Sequence, residues 1–246
     1  MTGLDLTGSV VIVTGASGGI GAAITDRLAG LGASVVVHHR STAPTSVPAG
    51  AATVEADLRD DDAADRLVAA AVDAFGRLDG LVHNAAVQTV APLLDVDDVA
   101  WDEMLDVNVG AAHRLTNAVA RHLVDAGRGG AVVHIASIEG LQPAPGHGHY
   151  AASKAALVML ARAQAAELGR QAIRVNTVSP GLIDREGLAA DWPDGVRRWL
   201  DAAPLGRLGT GADVADACAF LLSPMAAFVT GADLVVDGGV TARPTW

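Results

Sequence analysis

The chain has 246 residues, half of them hydrophobic and 18% charged, enough apolar mass for one large α/β domain and far from the composition of a disordered chain or a disulfide-stapled mini-protein. Its 28 acidic against 17 basic side chains leave a formal charge of −11, which repels phosphate backbones and anionic lipid surfaces and excludes nucleic acid and membrane as expected partners. The lone cysteine, Cys218, cannot pair within the chain and reads as a core residue, in keeping with a reducing compartment. No run approaches the roughly 18 apolar residues of a membrane span, and Met1–Ser9 lacks the basic start of a signal peptide. A cytoplasmic protein is expected.

In chain order, short β-branched runs alternate with longer Ala/Leu segments, the pattern of parallel strands joined by crossover helices. Strands are predicted at Ser9–Val13, Ser34–His38, Ala52–Glu55, Gly80–His83, Ala131–Ala136 and Ile173–Thr177, with Leu234–Val236 last. Helices are predicted at about Gly19–Gly30, Asp60–Phe75, Val99–Asp125, His149–Gly169 and Gly211–Leu222. Strands without polar alternation are buried on both faces, so the expected fold is a Rossmann-like, doubly wound parallel sheet in three layers, one domain over residues 1–246. Two segments break the alternation. Ser41–Gly50, with Pro44 and Pro48, is too short and proline-rich for a good helix. Leu182–Pro204, with Trp192, Pro193 and Trp199, reads as an insertion that can act as a substrate lid.

The first strand runs into Thr14-Gly15-Ala16-Ser17-Gly18-Gly19-Ile20-Gly21 and then a helix. A strand, a glycine-rich turn and a helix N-terminus make an anion cradle, because free backbone N–H groups and the helix dipole meet there. In such a cradle Gly15 permits the tight turn, Gly19 the approach of a phosphate and Gly21 the packing of helix on strand. Farther on, Tyr150, the only tyrosine, and Lys154 stand four residues apart on one helix face. A phenol titrates near pH 10, and a neighbouring ammonium is expected to lower that value into the range of useful acid–base work. Ser137 ends the fifth strand, at the carboxyl edge where open α/β sheets bind ligands.

Together these residues resemble the short-chain dehydrogenase/reductase family, and its 3-oxoacyl-(acyl-carrier-protein) reductase-like members in particular, from about Leu6 to Val240. The glycine pattern Thr14–Gly21, Asn84-Ala85-Ala86, Asn108, Ser137, Tyr150-x-x-x-Lys154, Pro180-Gly181 and Thr230-Gly231…Asp237-Gly238-Gly239 fall in family order. The resemblance implies that Tyr150 is the general acid or base, that Ser137 orients the substrate oxygen, that Lys154 grips the nicotinamide ribose, and that Asn108 holds a water in a proton relay. It implies a cofactor site built from Gly15, Ser17, Gly18, Gly19, Ile20, Gly21, His39, Arg40, Ser41, Asp57, Leu58, Asn84, Ala85, Ala86, Tyr150, Lys154, Pro180, Gly181 and Ile183, with Asp57 at the adenine. The family's Asn-Asn-Ala-Gly stands here as His83-Asn84-Ala85-Ala86, and Arg185 replaces a common threonine close to where the nicotinamide is expected. That arginine suits the cofactor pyrophosphate or a carboxylate on the substrate.

Enzymes selective for NAD usually place Asp or Glu at the end of the second strand. This chain has His39 there, followed by Arg40 and Ser41, with Ser17 in the glycine turn, a charge and hydroxyls suited to a 2′-phosphate. NADP(H) is the expected cofactor. Glu139, Gln142, His147 and His149 lie on a segment expected to flank the substrate; without a third ligand the histidines read as hydrogen-bonding loop residues, and no metal is expected. The expected reaction moves a hydride between nicotinamide and the carbonyl/alcohol pair of a small organic substrate, with ketone or 3-oxoacyl reduction first. Oxidation of a cyclic alcohol or dihydrodiol is the main alternative. The run His38-His39-Arg40-Ser41 is similar to that of pteridine reductases of the family, and a catalytically silent nucleotide-sensing regulator is the rival of another class, opposed by the intact Ser–Tyr–Lys set. The apolar circumference of the His149–Gly169 helix, with the family's habit of pairing it across a two-fold axis, implies a homodimer or homotetramer.

Overall fold

The computed structural model describes residues 4–243. Seven parallel strands, β1 (Val10–Val13), β2 (Ser34–His39), β3 (Ala52–Glu55), β4 (Gly80–His83), β5 (Gly130–Ile135), β6 (Ile173–Pro180) and β7 (Asp233–Val236), form one sheet in the order β3-β2-β1-β4-β5-β6-β7. The crossovers are α1 (Gly19–Gly30), α2 (Ala63–Phe75), α3 (Asp98–Leu105), α4 (Ala111–Asp125), α5 (Gly148–Leu168), α6 (Leu188–Asp191), α7 (Pro193–Ala202) and α8 (Gly211–Leu222).

Strand alternation sorts the core into two halves. Val10, Ile12, Val36, Leu81, Val132 and Val175 face α2, α4 and α5, meeting Leu67, Leu115, Val119, Leu123 and Ala161. Their neighbours Val11, Val13, Val35, Val37, Val82 and Val133 face α1 and α8, meeting Ile24, Leu28, Val214, Cys218 and Leu221. Fully burying one such aliphatic side chain is worth about 1.5–3 kcal/mol, so both sheet faces must be covered, and the expected three-layer doubly wound fold follows. Cys218 is a buried core residue whose thiol burial holds well above the usual range. No helix among the described residues is long and apolar enough to cross a membrane.

Local chemistry sets several element ends. Asp97 caps α3 by accepting from the Ala100 N–H at 2.8 Å. Thr210 and Asp213 form a reciprocal capping box at α8. The segment Ser41–Gly50 carries no helix, as its prolines require. Leu182–Pro204, expected as an insertion, folds into α6 and α7.

One predicted helix is corrected. Val99–Asp125 is helical throughout but is not one α-helix: a π-turn at Asp106–Gly110, flanked by residues in helical conformation, joins α3 to α4. The buried positions Met104, Asn108, Ala111, Leu115, Val119 and Leu123 keep three- to four-residue spacing across the π-turn, so hydrophobic periodicity does not reveal it here. It coincides with the buried Asn108.

Candidate active site

The sheet order reverses direction between β1 and β4, and at that switch point the carboxyl ends of β1 to β4 surround a cleft of about 310 Å³. Gly15, Ser17, His38, Arg40, Ala56, Asp57, Leu58 and Asn84 to Val87 line it. The glycines divide the labour. Gly15 has φ +63°, and a Cβ there would lie 2.7 Å from the Ala85 Cα; one on Gly21 would overlap the Gly15 carbonyl. Those two allow backbone to pack on backbone. Gly18 and Gly19 have nothing within 4 Å of a Cβ position, and α1 begins without a side-chain cap, leaving its first N–H groups for an anion. The Asn84 amide fixes the turn by donating to the Thr14 and Gly15 carbonyls at 3.1 and 2.9 Å.

At the end of β2 the ring facing the cleft is His38, not His39. Nδ1 of His38 accepts the Gly15 N–H at 3.2 Å while Nε2 donates to the Ala56 carbonyl at 3.0 Å, which requires the neutral ring that burial also favours. His39 is buried and does not line the cleft, and Ser41 is exposed outside it. Successive residues of β2 face opposite sides, which turns His38 and Arg40 to the cleft and His39 away from its lining. Arg40 lines the cleft and is exposed. Asp57 lines it as well, paired with Arg59 at 2.6 Å, whose hydrogen bonds hold its carboxyl down to about 2. Pro180 and Gly181 end β6 away from these lining residues; Gly181 fits against Trp199, and Ile183 pairs with Gly209 beyond it. Open glycines, unpaired N–H groups, an apolar shelf at Leu58 and Ala85, and a free guanidinium fit the phosphates and adenosine of a dinucleotide.

Ser137, Tyr150, Lys154 and Asn108 are buried together next to this cleft. Ser137 Oγ accepts the Glu139 N–H at 3.1 Å, which leaves its own hydrogen to donate to a substrate oxygen. Lys154 Nζ lies 5.5 Å from the Tyr150 ring centroid and donates to the Ile135 carbonyl at 2.8 Å. Burial lowers Lys154 to about 8. The expected lowering of Tyr150 by this ammonium is not found. Burial pushes the phenol up to about 12, with the nearby Ser137 hydroxyl opposing and the Glu139 charge adding to the rise. Tyr150 therefore keeps its proton at neutrality, the state an acid needs.

Asn108 is locked. Its amide donates to the Val87 carbonyl at 3.0 Å and Ser153 Oγ at 2.9 Å and accepts the Val87 N–H at 2.8 Å. The side chain ties the β4 exit to α5, so any share in a relay falls to its backbone. Sequence reasoning missed Ser153, which also donates to the Tyr150 carbonyl at 2.7 Å. It also missed the paired rings of His83 and His134, 5.8 Å apart on β4 and β5. Burial depresses both, His134 to about 4, so neither competes with Lys154 as a cation. Only their strand register, His83 opposite His134, signals the contact.

Around the mouth, Glu139 holds the His147 ring at 2.7 Å and Thr89 meets His149 Nε2 at 2.7 Å. Arg185, ahead of α6, pairs with Asp191 at the end of that helix at 2.8 Å, with both side chains more than half exposed.

A protein-family model described as Enoyl-(Acyl carrier protein) reductase matches residues 15–241. L-rhamnose 1-dehydrogenase (NAD(P)(+)) of Azotobacter vinelandii is 39% identical, covering 96% of this chain and 97% of its own. The 3-oxoacyl-(acyl-carrier-protein) reductase of Chlamydia muridarum is 35% identical, covering 96% and 98%. Among solved structures, one described as a short-chain alcohol dehydrogenase of Sinorhizobium meliloti 1021 superposes with a TM-score of 0.90 at 33% identity, over 98% of this chain and 99% of that one.

Proposed function

This chain belongs to the short-chain dehydrogenase/reductase family and is an oxidoreductase, and we propose that it reduces a ketone carbonyl on a small organic substrate with NADPH. A bound nicotinamide supplies the hydride to the carbonyl carbon. Ser137, its lone pair engaged by the Glu139 N–H, donates its hydrogen to the carbonyl oxygen and fixes it beside Tyr150. Tyr150 holds its proton until negative charge develops on that oxygen, then delivers it from Oη. Lys154, fixed by Ile135, keeps a positive charge beneath the phenol as it ionises. The burial of the protonated Tyr150 beside Ser137 and Lys154 carries this reading.

The cofactor preference rests on Arg40 and Ser17 in the cleft. The one carboxylate there, Asp57, has its charge matched by Arg59, so it does not repel a 2′-phosphate. We assign Asp57 and Leu58 to the adenine side and propose a cytoplasmic homotetramer, since Ala155, Ala156, Met159 and Ala163 are exposed along α5. Steady-state turnover of a carbonyl and alcohol panel with NADPH and NADH tests the proposal. Ketone reduction favouring NADPH is expected; cofactor binding with no turnover across the panel would instead support the silent regulator.

A further inference from the structure

The chemistry above leaves Glu139 and His147 unused. His147 Nδ1 donates to both Glu139 carboxylate oxygens, at 2.7 and 3.0 Å, in a pair whose side chains are each 18% exposed. A carboxylate only accepts, so Nδ1 carries a hydrogen whether the ring is neutral or charged, and Nε2 is free on the other side. That nitrogen bonds to no described residue and is not buried. Although His147 is the N-cap residue of α5, its side chain caps nothing.

The pair is built onto the reacting centre from both ends. Glu139 follows Ser137 by two residues and donates its N–H to Ser137 Oγ at 3.1 Å. The His147 ring stands edge-on to that of Tyr150, centroids 6.2 Å apart at 82°. A carboxylate-oriented imidazole thus sits one side chain away from the two hydroxyls that hold the reacting oxygen. A contact that only pinned this turn shut would be made as well by an apolar pair. Fixing the tautomer of a ring with an open nitrogen is how proteins present an imidazole to a partner.

We propose that His147, oriented by Glu139, binds a hydroxyl on the carbon next to the reacting carbonyl, so that the preferred substrates are α-hydroxy ketones and the corresponding vicinal diols. This rests on the placement of the reacting oxygen at Ser137 and Tyr150. A hydroxyl is the group that suits Nε2 in either state of the ring: it donates to the neutral nitrogen and accepts from the charged one. A carboxylate would suit the imidazolium alone, and an alkyl neighbour neither. Recognition through a hydrogen bond also discriminates strongly, because a substrate lacking the hydroxyl leaves the ring desolvated and unpaired.

The test compares matched ketones, cyclohexanone with 2-hydroxycyclohexanone and octan-2-one with 3-hydroxyoctan-2-one, using NADPH and NADH. Wild type should favour the hydroxylated member of each pair by about tenfold or more in kcat/KM, the scale of one hydrogen bond left unmade. His147→Phe keeps a ring and removes both nitrogens, and should cost the hydroxylated member about tenfold more than its plain partner. Glu139→Gln, whose Oε1 still accepts from Nδ1, should keep most of the preference. Turnover of the plain ketones with no hydroxyl preference, or equal losses on both members in His147→Phe, overturns the inference and leaves the carbonyl-reduction reading standing. Absence of turnover with all four ketones, while calorimetry registers nicotinamide binding, overturns that reading and the inference with it.

Discussion

Replacing Lys154 with methionine should stabilise the protein while abolishing its chemistry. The ammonium is buried with a single carbonyl partner, and burial lowers it from the ordinary 10.5 to about 8. Each pKa unit is worth about 1.4 kcal/mol between the two protonation states, so the buried charge costs roughly 3 kcal/mol at neutral pH. Methionine fits a similar volume and carries no charge, but it leaves the Ile135 carbonyl one partner short, a loss of about 1 kcal/mol. The net gain is about 2 kcal/mol, or about 4–8 °C in Tm for a chain of this size. The pH dependence gives the sign. For a base depressed by folding, the unfolded chain binds more protons between the folded and unfolded pKa values, so wild-type stability rises with pH across that interval. The penalty is full below pH 8, fades between 8 and 10.5, and is absent above. Urea unfolding of both proteins at pH 7 and pH 9.5 should therefore show Lys154→Met ahead at pH 7 and the gap narrowing at pH 9.5. A variant less stable at pH 7, or a gap unchanged between the two, would refute the assignment of an uncompensated buried ammonium.

Wild type should prefer NADPH over NADH at least tenfold in kcat/KM, a difference of about 1.4 kcal/mol, and Arg40→Ala should erase most of that margin; equal use of NADH by wild type contradicts the assignment of Arg40. Gly21→Ala forces a methyl into the Gly15 carbonyl, so it should lose about 1–3 kcal/mol of stability together with dinucleotide affinity, whereas Gly18→Ala, with open space around it, should keep the wild-type Tm. Light scattering should give a multiple of 24.8 kDa, four copies before two, and a persistent 24.8 kDa monomer at micromolar concentration would refute self-association through α5.

The strands and the glycine turn were legible because their causes are local. Val10 to Val13 is a short β-branched run ahead of a glycine turn, which favours a doubly buried strand, and Gly15 and Gly21 occupy positions where the backbone itself demands glycine. Tyr150 and Lys154 were legible through helical spacing, yet the electrostatic balance between them was not, since burial depends on everything packed around the site. The π-turn at Asn108 left no mark on the apolar pattern, and its locking partners Val87 and Ser153 come from distant segments. At β2 the family pattern pointed to His39, but the pleat turned His38 to the cleft. Arg185 adds a contact that the sequence did not announce, an exposed ion pair with Asp191 six residues on.

The central claim is a hydride transfer completed by a proton from Tyr150, and isotope transfer measures it most directly. With NADPH deuterated at C4 on either face and a carbonyl substrate drawn from the panel, mass spectrometry of the alcohol should find one deuterium per turnover at the carbinol carbon, from one face only. Tyr150→Phe should slow that transfer at least a hundredfold while nicotinamide affinity stays close to that of wild type. An unlabelled product from both deuterated cofactors, or a Tyr150→Phe rate within about threefold of wild type, would contradict it.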